Sequence, residues 1–447
     1  MKKITQFFVH LVQRYLPDPF IFCILLTVLV YVLALGFTSN TPVQMLSHWY
    51  DGFWSLLSFS MQMVLVLVTG FALANAPFFK RKLEQLADKV KKPYQAILLV
   101  SIVGLVGCII NWGFGLIVGA IFAKELAKKV DGVDYPLLIA SAYSGFLVWH
   151  GGLSGSIPLS LASGGDTLKE TTGGAITESI GTVHTIFSLQ NITIMVLMLI
   201  VIPLVNMKMH PAKKDTVTID KNLLKDDVEV KNEVSILPSA KLENSRILSG
   251  LIVIAGIIII VVFFRKNGFN LGLDIVNFIF LILGLFLHKT PIAYVKAIQE
   301  GISGSAGIVL QFPFYAGIMG MMGGAGSDGD SLGGLISIGL VNMANEANFN
   351  VITFLNAGVV NFFIPSGGGQ WAIQAPIILP AAQELGVDPA SASMAIAWGD
   401  AWTNMVQPFW ALPALGIAKL NAKDIMGYCI VDLIVSGLII GSVFYFL

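Results

Sequence analysis

The sequence predicts an all-α polytopic membrane protein of about nine spans plus two re-entrant helical hairpins, arranged as two inverted-topology repeats that each hold one hairpin and one broken transmembrane helix. Three observations carry that prediction. The 447 residues are 55% hydrophobic and only 12% charged, with a mean hydropathy of +0.78, where soluble domains carry charge on roughly a quarter of their residues. Apolar runs of about 20 residues, enough to cross a hydrocarbon core roughly 30 Å thick at about 1.5 Å of rise per residue, recur along the chain. Two further apolar stretches are interrupted midway by glycine and polar residues.

Taken in order, residues 18–37 form the first span; the basic start before it (Lys2, Lys3, Arg14) leads to no small-residue cleavage site, so the helix reads as uncleaved. A second span covers 54–78, and the basic stretch 80–92 reads as an amphipathic arm. Residues 94–123 are apolar yet flanked by basic segments on both sides, and thirty residues are too few for two crossings. They are expected to dip in and return, with Asn111-Trp112-Gly113-Phe114-Gly115 at the tip, where glycine permits a tight turn and Asn satisfies freed backbone groups. Spans at 135–160 and 189–207 complete a first repeat over 1–208. Residues 209–245, rich in Lys, Asp and Glu, read as a solvated cytoplasmic linker, and 246–270 holds a single connecting span.

The second repeat, 271–447, follows the same order: spans at 271–288 and 305–325, an arm at 331–349, a hairpin at 350–386 and a broken span at 391–417. A last span covers 424–446. The second hairpin tip is Pro365-Ser366-Gly367-Gly368-Gly369-Gln370. The basic segments 1–14, 80–92, 124–129, 208–246 and 289–296 are cytoplasmic by the positive-inside rule, which places the N-terminus inside and the C-terminus outside; Arg265, Lys266 and Lys169 fall on the other side as exceptions. One connecting span inverts the second repeat. An offset of 250 residues pairs Asn111 with Asn361, His150 with Asp400, Ser154 with Asn404 and Pro158 with Pro408.

Composition also excludes functions. With 27 Lys and Arg against 27 Asp and Glu there is no basic surplus for nucleic acid. Cys23, Cys108 and Cys429 have neither metal-ligand nor disulfide spacing, and no cofactor is expected.

The chemistry concentrates at the breaks. Three glycines and a proline within Trp149-His150-Gly151-Gly152-Leu153-Ser154-Gly155-Ser156-Ile157-Pro158 cannot sustain a helix, and Gly399 to Pro408 matches that break in the second half. Backbone groups opened in lipid cost several kcal/mol each unless satisfied, so such segments should line a cavity. Helix N-termini there attract anions, and freed carbonyls and hydroxyls hold small cations. The candidate substrate residues are Asn111, Trp112 and Gly113 at the first tip, and His150, Gly152, Ser154 and Ser156 at the first break. Ser366, Gly367, Gly368, Gln370 and Trp371 belong to the second tip, and Asp400, Thr403 and Asn404 to the second break. No Lys or Arg occurs in 297–418, while Trp112, Trp149, Trp371, Trp398, Trp402 and Trp410 sit in or beside the breaks. A small monocarboxylate with an apolar tail fits this better than a phosphate, which favours cationic partners. Sodium near Asn111, Ser154, Ser366 and Asn404, or a proton on His150 or Asp400, is the expected coupling ion.

Plainer roles compete. Tryptophan also marks membrane interfaces, the glycines of 323–326 read as helix packing, a tip Asn can cap its own turn, and Asp432 reads as peripheral or paired. Gly152-Leu153-Ser154-Gly155 also matches the short motif of rhomboid-like serine hydrolases, but no later His lies mid-span, His184, His210 and His288 being in loops or at span ends. Two hairpins entering from opposite faces argue for alternating access over a channel.

The stretches NWGFGLIVGAI (111–121), WHGGLSGSIPL (149–159), VNFFIPSGGGQWAIQAPI (360–377) and GDAWTNMVQPFWALPALGI (399–417) resemble the bacterial short-chain fatty acid transporter family, of the acetoacetate and butyrate permease type, within the ion transporter superfamily. The resemblance runs over essentially the whole chain. It implies inverted repeats, an elevator-like movement, a homodimer in the lipid bilayer of the inner membrane, and a short-chain monocarboxylate substrate. Dicarboxylate members of that superfamily carry Ser-Asn-Thr at both tips to build sodium sites. Here Asn111-Trp112-Gly113 and Ser366-Gly367-Gly368 stand instead, so sodium coupling does not carry over residue by residue.

Overall fold

With no water to satisfy it, backbone in lipid closes its own hydrogen bonds, and the computed structural model has helices and no strand among its described residues: 2–15, 18–55, 57–165, 168–169, 172, 174–219, 238–268, 273–302 and 305–447. The first half contains α1 (Lys2–Tyr15), α2 (Pro19–Phe37), α3 (Pro42–Ser55), α4 (Leu57–Asn75), α5 (Pro77–Ala87), α6 (Pro93–Ile110) and α7 (Trp112–Lys129). It continues through α8 (Tyr135–Tyr143), a 3-10 turn (Ser144–Val148), α9 (Ser156–Ser163) and α10 (Leu189–Met209). Beyond the linker come α11 (Arg246–Asn267), α12 (Leu273–His288), α13 (Pro291–Ile302), α14 (Ala306–Gly323) and α15 (Leu332–Val341). The chain ends with α16 (Phe349–Asn361), α17 (Gly367–Glu384), α18 (Pro389–Thr403), a 3-10 turn (Asn404–Val406), α19 (Pro408–Ala418) and α20 (Ala422–Phe446).

Among the described residues, seven helical stretches are long and apolar enough to cross a membrane: Phe20–Phe37, Pro42–Leu73, Pro93–Ile110, Leu189–Met209, Pro238–Asn267, Ala306–Gly323 and Ala422–Phe446. The shorter apolar helices Tyr135–Val148, Asp274–His288, Phe349–Asn361 and Pro408–Ala418 accompany them. The protein is a multi-pass membrane protein. Its periphery is clearest at α11, where Ile247, Leu251, Ile254, Ile258 and Val262 are exposed and Gly256 lets the opposite face sit against Ile282 of α12.

Several helices lie outside the expected spans. The basic start is helical and packs on α20, residues 42–53 form most of α3, and the segment read as basic over 289–296 enters a helix, α13, over 291–302. His48, Asp51, Lys296 and Glu300 interrupt the hydropathy of α3 and α13 and hide them from a search for apolar runs. Gly52 of α3 lies so close to α14 that a Cβ there would be 2.6 Å from the Ala316 carbonyl oxygen. Of the two arms, 80–92 is helical as far as Ala87, and 331–349 holds the helix Leu332–Val341. Residues 220–237 of the linker and 269–270 of the connecting segment lie outside the described residues. The start of the linker is anchored: Val217 donates to Asp134 Oδ2 at 2.8 Å, and its carbonyl accepts from Tyr135 N–H at 2.9 Å.

The centre of the molecule is built from α6 to α9 and from α16 to α19. Helices α6 and α7 fold back on one another at Asn111, with Gly107 and Gly115 in backbone contact across the pair. Helices α16 and α17 are joined across residues 362–366. The two broken helices share one start signal: Asp134 before Tyr135-Pro136 and Asp388 before Pro389 each cap the first turn with a carboxylate oxygen. Every residue from Tyr135 to Val148 is buried, and most of α18 is too. These deep helices carry most of the candidate site residues.

Candidate functional site

The break after Val148 and the break at Asn404 meet in the interior. Trp149 Nε1 donates to Asn404 Oδ1 at 2.9 Å, and Tyr143 donates its hydroxyl to the Asn404 carbonyl at 2.7 Å. The Asn404 amide donates in turn to Gln407 Oε1 at 3.0 Å and lies 3.5 Å from Asp400 Oδ1. Gln407 donates to the Asn361 carbonyl, and Asn361 donates to the Asp400 carbonyl at 2.7 Å and to Thr403 Oγ1 at 2.9 Å. The unwound backbone of one half is thus satisfied by side chains of both, as burial requires.

Each tip closes on a break. At the first, Trp112 N–H donates to Ser154 Oγ at 3.1 Å and Leu153 N–H to the Ile109 carbonyl at 2.8 Å. Gly152 leaves room for that approach, since a Cβ there would be 2.6 Å from the same carbonyl oxygen. At the second, Ser366 caps α17 through the Gly369 N–H at 3.3 Å, and Gly367 faces His150, Ser156 and Asp400.

His150 and Asp400 are fully buried, and His150 Nδ1 lies 3.3 Å from Asp400 Oδ2 with neither atom in an aligned hydrogen bond. The tautomer follows from a fixed donor. Ile157 N–H donates to His150 Nε2 at 3.1 Å, so in the neutral ring the proton sits on Nδ1, toward Asp400. Ser156 Oγ is 3.0 Å from the same Nε2, giving a hydroxyl, imidazole and carboxyl in sequence. Nucleophilic catalysis needs a free Nε2 lone pair, which the Ile157 N–H already occupies. Ser154, the residue a rhomboid-like reading requires, accepts from Trp112 backbone instead.

Aromatic rings roof this pair. Trp149 stacks on His150 at a centroid distance of 4.1 Å and on Phe146 at 5.6 Å, and Trp112 meets Trp410 edge-on at 5.4 Å. Among the described residues no group of three or more His, Cys, Asp or Glu is placed to hold a metal ion.

Of the residues selected from sequence, His150, Ser156, Gly367, Asp400, Thr403 and Asn404 cluster, with Trp112, Gly152 and Ser154 on the adjoining tip contact. Others lie elsewhere. Asn111 Oδ1 caps its own turn through Phe114 N–H at 3.1 Å, and Gly113 faces Val66. Gly368 borders open space, Trp371 packs with Ile157, Leu161 and Ile378, and Gln370 bonds the Ala357 carbonyl and Gln374. Sequence reasoning left out Tyr143, Gln407 and Asn361; the 250-residue offset had marked Asn361 through its pairing with Asn111.

The profile of a family described as "Short chain fatty acid transporter" matches residues 1–447. The chain belongs to that family. A protein of Escherichia coli (strain K12) named for short-chain fatty acid transport is 48% identical over 439 residues, covering 98% of both chains. A Haemophilus influenzae protein of the same naming is 45% identical over 454 residues and 100% of both. This is a family of transporters, not of enzymes, and nothing supports the hydrolase alternative. Among solved structures, the Alcanivorax borkumensis YdaH transporter aligns at a TM-score of 0.45 and 18% identity over 96% of this chain and 97% of its own. Neisseria gonorrhoeae MtrF aligns at 0.42 and 16% over 98% and 96%. Likeness at that level bears no mechanistic weight.

Proposed function

We propose that the protein is a secondary transporter of the bacterial inner membrane that carries short-chain monocarboxylates of the butyrate and acetoacetate kind by alternating access. The observation that carries this reading is the meeting of both tips and both breaks around His150 and Asp400. Unwound, buried backbone at the junction of two helical pairs suits a site exposed first to one side and then to the other. The names of the relatives supply the substrate class, and the chemistry agrees: stacked aromatic rings suit a short apolar tail, and neutral N–H and hydroxyl groups suit a carboxylate.

A carboxylate approaching Asp400 meets like charge unless the His150–Asp400 pair carries a proton, so in this reading substrate and proton travel together. The common order of hairpin, broken helix and last helix in the two halves, and the contact of the offset pair His150 and Asp400, support an inverted repeat. In that arrangement the N-terminus is cytoplasmic, the C-terminus external, the two tips enter from opposite faces, and a homodimer gives the moving part a fixed scaffold.

The test is uptake of labelled butyrate into proteoliposomes under a proton gradient and, separately, a sodium gradient. Stimulation by protons, lost in His150→Gln, is expected; stimulation by sodium alone would move the coupling ion to the carbonyls of the breaks, and saturating uptake with counterflow separates a carrier from a channel.

A further inference from the structure

His150 and Asp400 belong to different halves of the chain, so their 3.3 Å contact depends on whatever holds the unwound segment after His150 against α18. Asn191, in the first turn of α10, touches both. It is 2% exposed, and its side chain makes three hydrogen bonds: Nδ2 donates to the Gly151 carbonyl at 2.9 Å and to the Ile186 carbonyl at 2.7 Å, while Oδ1 accepts from Trp398 Nε1 at 2.9 Å. These partners leave the amide one orientation, because a carbonyl only accepts and an indole N–H only donates. Gly151 follows His150 directly, and Trp398 precedes Asp400 by two residues on the same helix.

The seat of the amide is built from both sides. Ser188, the cap of α10, accepts from Asn191 N–H at 3.2 Å through its hydroxyl, and Gln190 Oε1 accepts from Ser391 Oγ at 2.7 Å, about two turns before Trp398 on α18. The start of α10 is thus fastened to α18 at two points. On the opposite side, a Cβ on Gly151 would lie 2.6 Å from Asn191 Oδ1 and 2.7 Å from Trp398 Cζ2, so the approach of amide and indole to the break depends on a glycine there.

The bonds already described leave a task for this contact. Those from Ile157 and Ser156 place the imidazole within its own segment. The Trp149–Asn404 bond fastens the residue before His150 to the turn after Asp400. Asn191 fastens the residue after His150 to the turn before Asp400. One cross-link would let the two segments pivot about it; two, on opposite sides of the pair, fix the separation of the imidazole and the carboxyl group.

We propose that Asn191 is a positioning residue of the site, which sets the geometry of the His150–Asp400 pair by clamping the Gly151 carbonyl to the Trp398 indole. Its effect on uptake rests on the transport reading above; its effect on the imidazole does not.

Nitrogen-15 NMR of the reconstituted full chain, labelled in histidine, reads the imidazole without any transport assay, the His150 resonances being those absent from His150→Gln. They are expected to move in Asn191→Leu, which removes all three bonds, and in Trp398→Phe, which removes one donor and keeps an aromatic ring. They should stay in place in Asn277→Leu, which removes a different buried amide, bonded to the Gln62 carbonyl on α4. Unmoved His150 resonances in Asn191→Leu overturn the proposal, and so does an equal displacement in Asn277→Leu; if Asn191→Leu does not fold, Trp398→Phe decides by the same criterion. Butyrate counterflow in proteoliposomes gives the second readout. For Asn191→Leu the KM should rise about tenfold, the effect of orphaning buried partners, with Vmax per folded protein unchanged. A lowered Vmax at the wild-type KM is the signature of a residue needed only for folding and overturns the positioning role. Failure of the wild type to carry butyrate would refute the transport reading and leave the NMR result to decide on Asn191.

Discussion

Adding one methyl group at the second tip separates a seated hairpin from a merely neighbouring one. A Cβ on Gly367 would lie 2.7 Å from His150 Cε1, 2.7 Å from Ser156 Oγ and 2.9 Å from Asp400 Oδ2, whereas a Cβ on Gly368 would meet nothing within 4 Å. Both positions have φ outside the left-handed region, so alanine is conformationally acceptable at each. Overpacking of this kind costs about 1–3 kcal/mol, and the helix preference of alanine over glycine returns at most about 1 kcal/mol. The net, up to about 2 kcal/mol against the seated tip, corresponds to as much as a roughly 30-fold loss in any step that needs it seated. Gly368→Ala, with only the propensity term, should stay within about fivefold of wild type. Butyrate counterflow in proteoliposomes, with thermal unfolding in detergent as a control for folding, reads both. Equal impairment of the two variants, or a Gly367→Ala protein as active as wild type, would refute a tip that closes on the His150–Asp400 pair.

Asn404→Ala removes the acceptor for the buried Trp149 indole and a partner of Gln407, a loss of about 1–3 kcal/mol, and uptake should fall at least about fivefold while size-exclusion behaviour is kept. Gly145 is packed against the Gly104 backbone, where no side chain can yield, so Gly145→Ala should lower the melting temperature and the yield of folded protein well beyond what Gly368→Ala does. The three cysteines are buried, and a maleimide should leave the native protein unlabelled yet react fully once it is unfolded in detergent. Lys129 and Asp88 pair at 2.8 Å but are 41% and 56% exposed, so Asp88→Asn should leave the melting temperature unchanged from wild type.

Hydropathy made the apolar helices legible, because a span must be long and continuous, and the glycine and proline content of 149–158 and 399–408 marked both breaks. Helices α3 and α13 were not legible, since their polar residues dilute the run that a window search detects. Within the site, the ionisable His150 and Asp400 stood out against an apolar background, but their contact crosses 250 residues of sequence and only packing brings them together. Asn111 shows the reverse: its place at a tip suggested a ligand, and its oxygen is taken by its own turn. Asp432 looked isolated because the group facing it, the Asn206 amide, is uncharged and lies on another helix.

The absence of Lys and Arg between residues 297 and 418 has a kinetic meaning. For the carboxylate substrate proposed above, held by neutral donors and aromatic rings, a dissociation constant on the order of 1 mM would correspond to about −4 kcal/mol. With association at about 10⁶–10⁷ M⁻¹s⁻¹, it departs within roughly 0.1–1 ms. Helix movements take microseconds to milliseconds, so departure keeps pace with the swing of the protein. A buried arginine in the same place would strengthen the hold by about 1–2 kcal/mol, lengthen each stay five- to thirtyfold, and turn a carrier into a store.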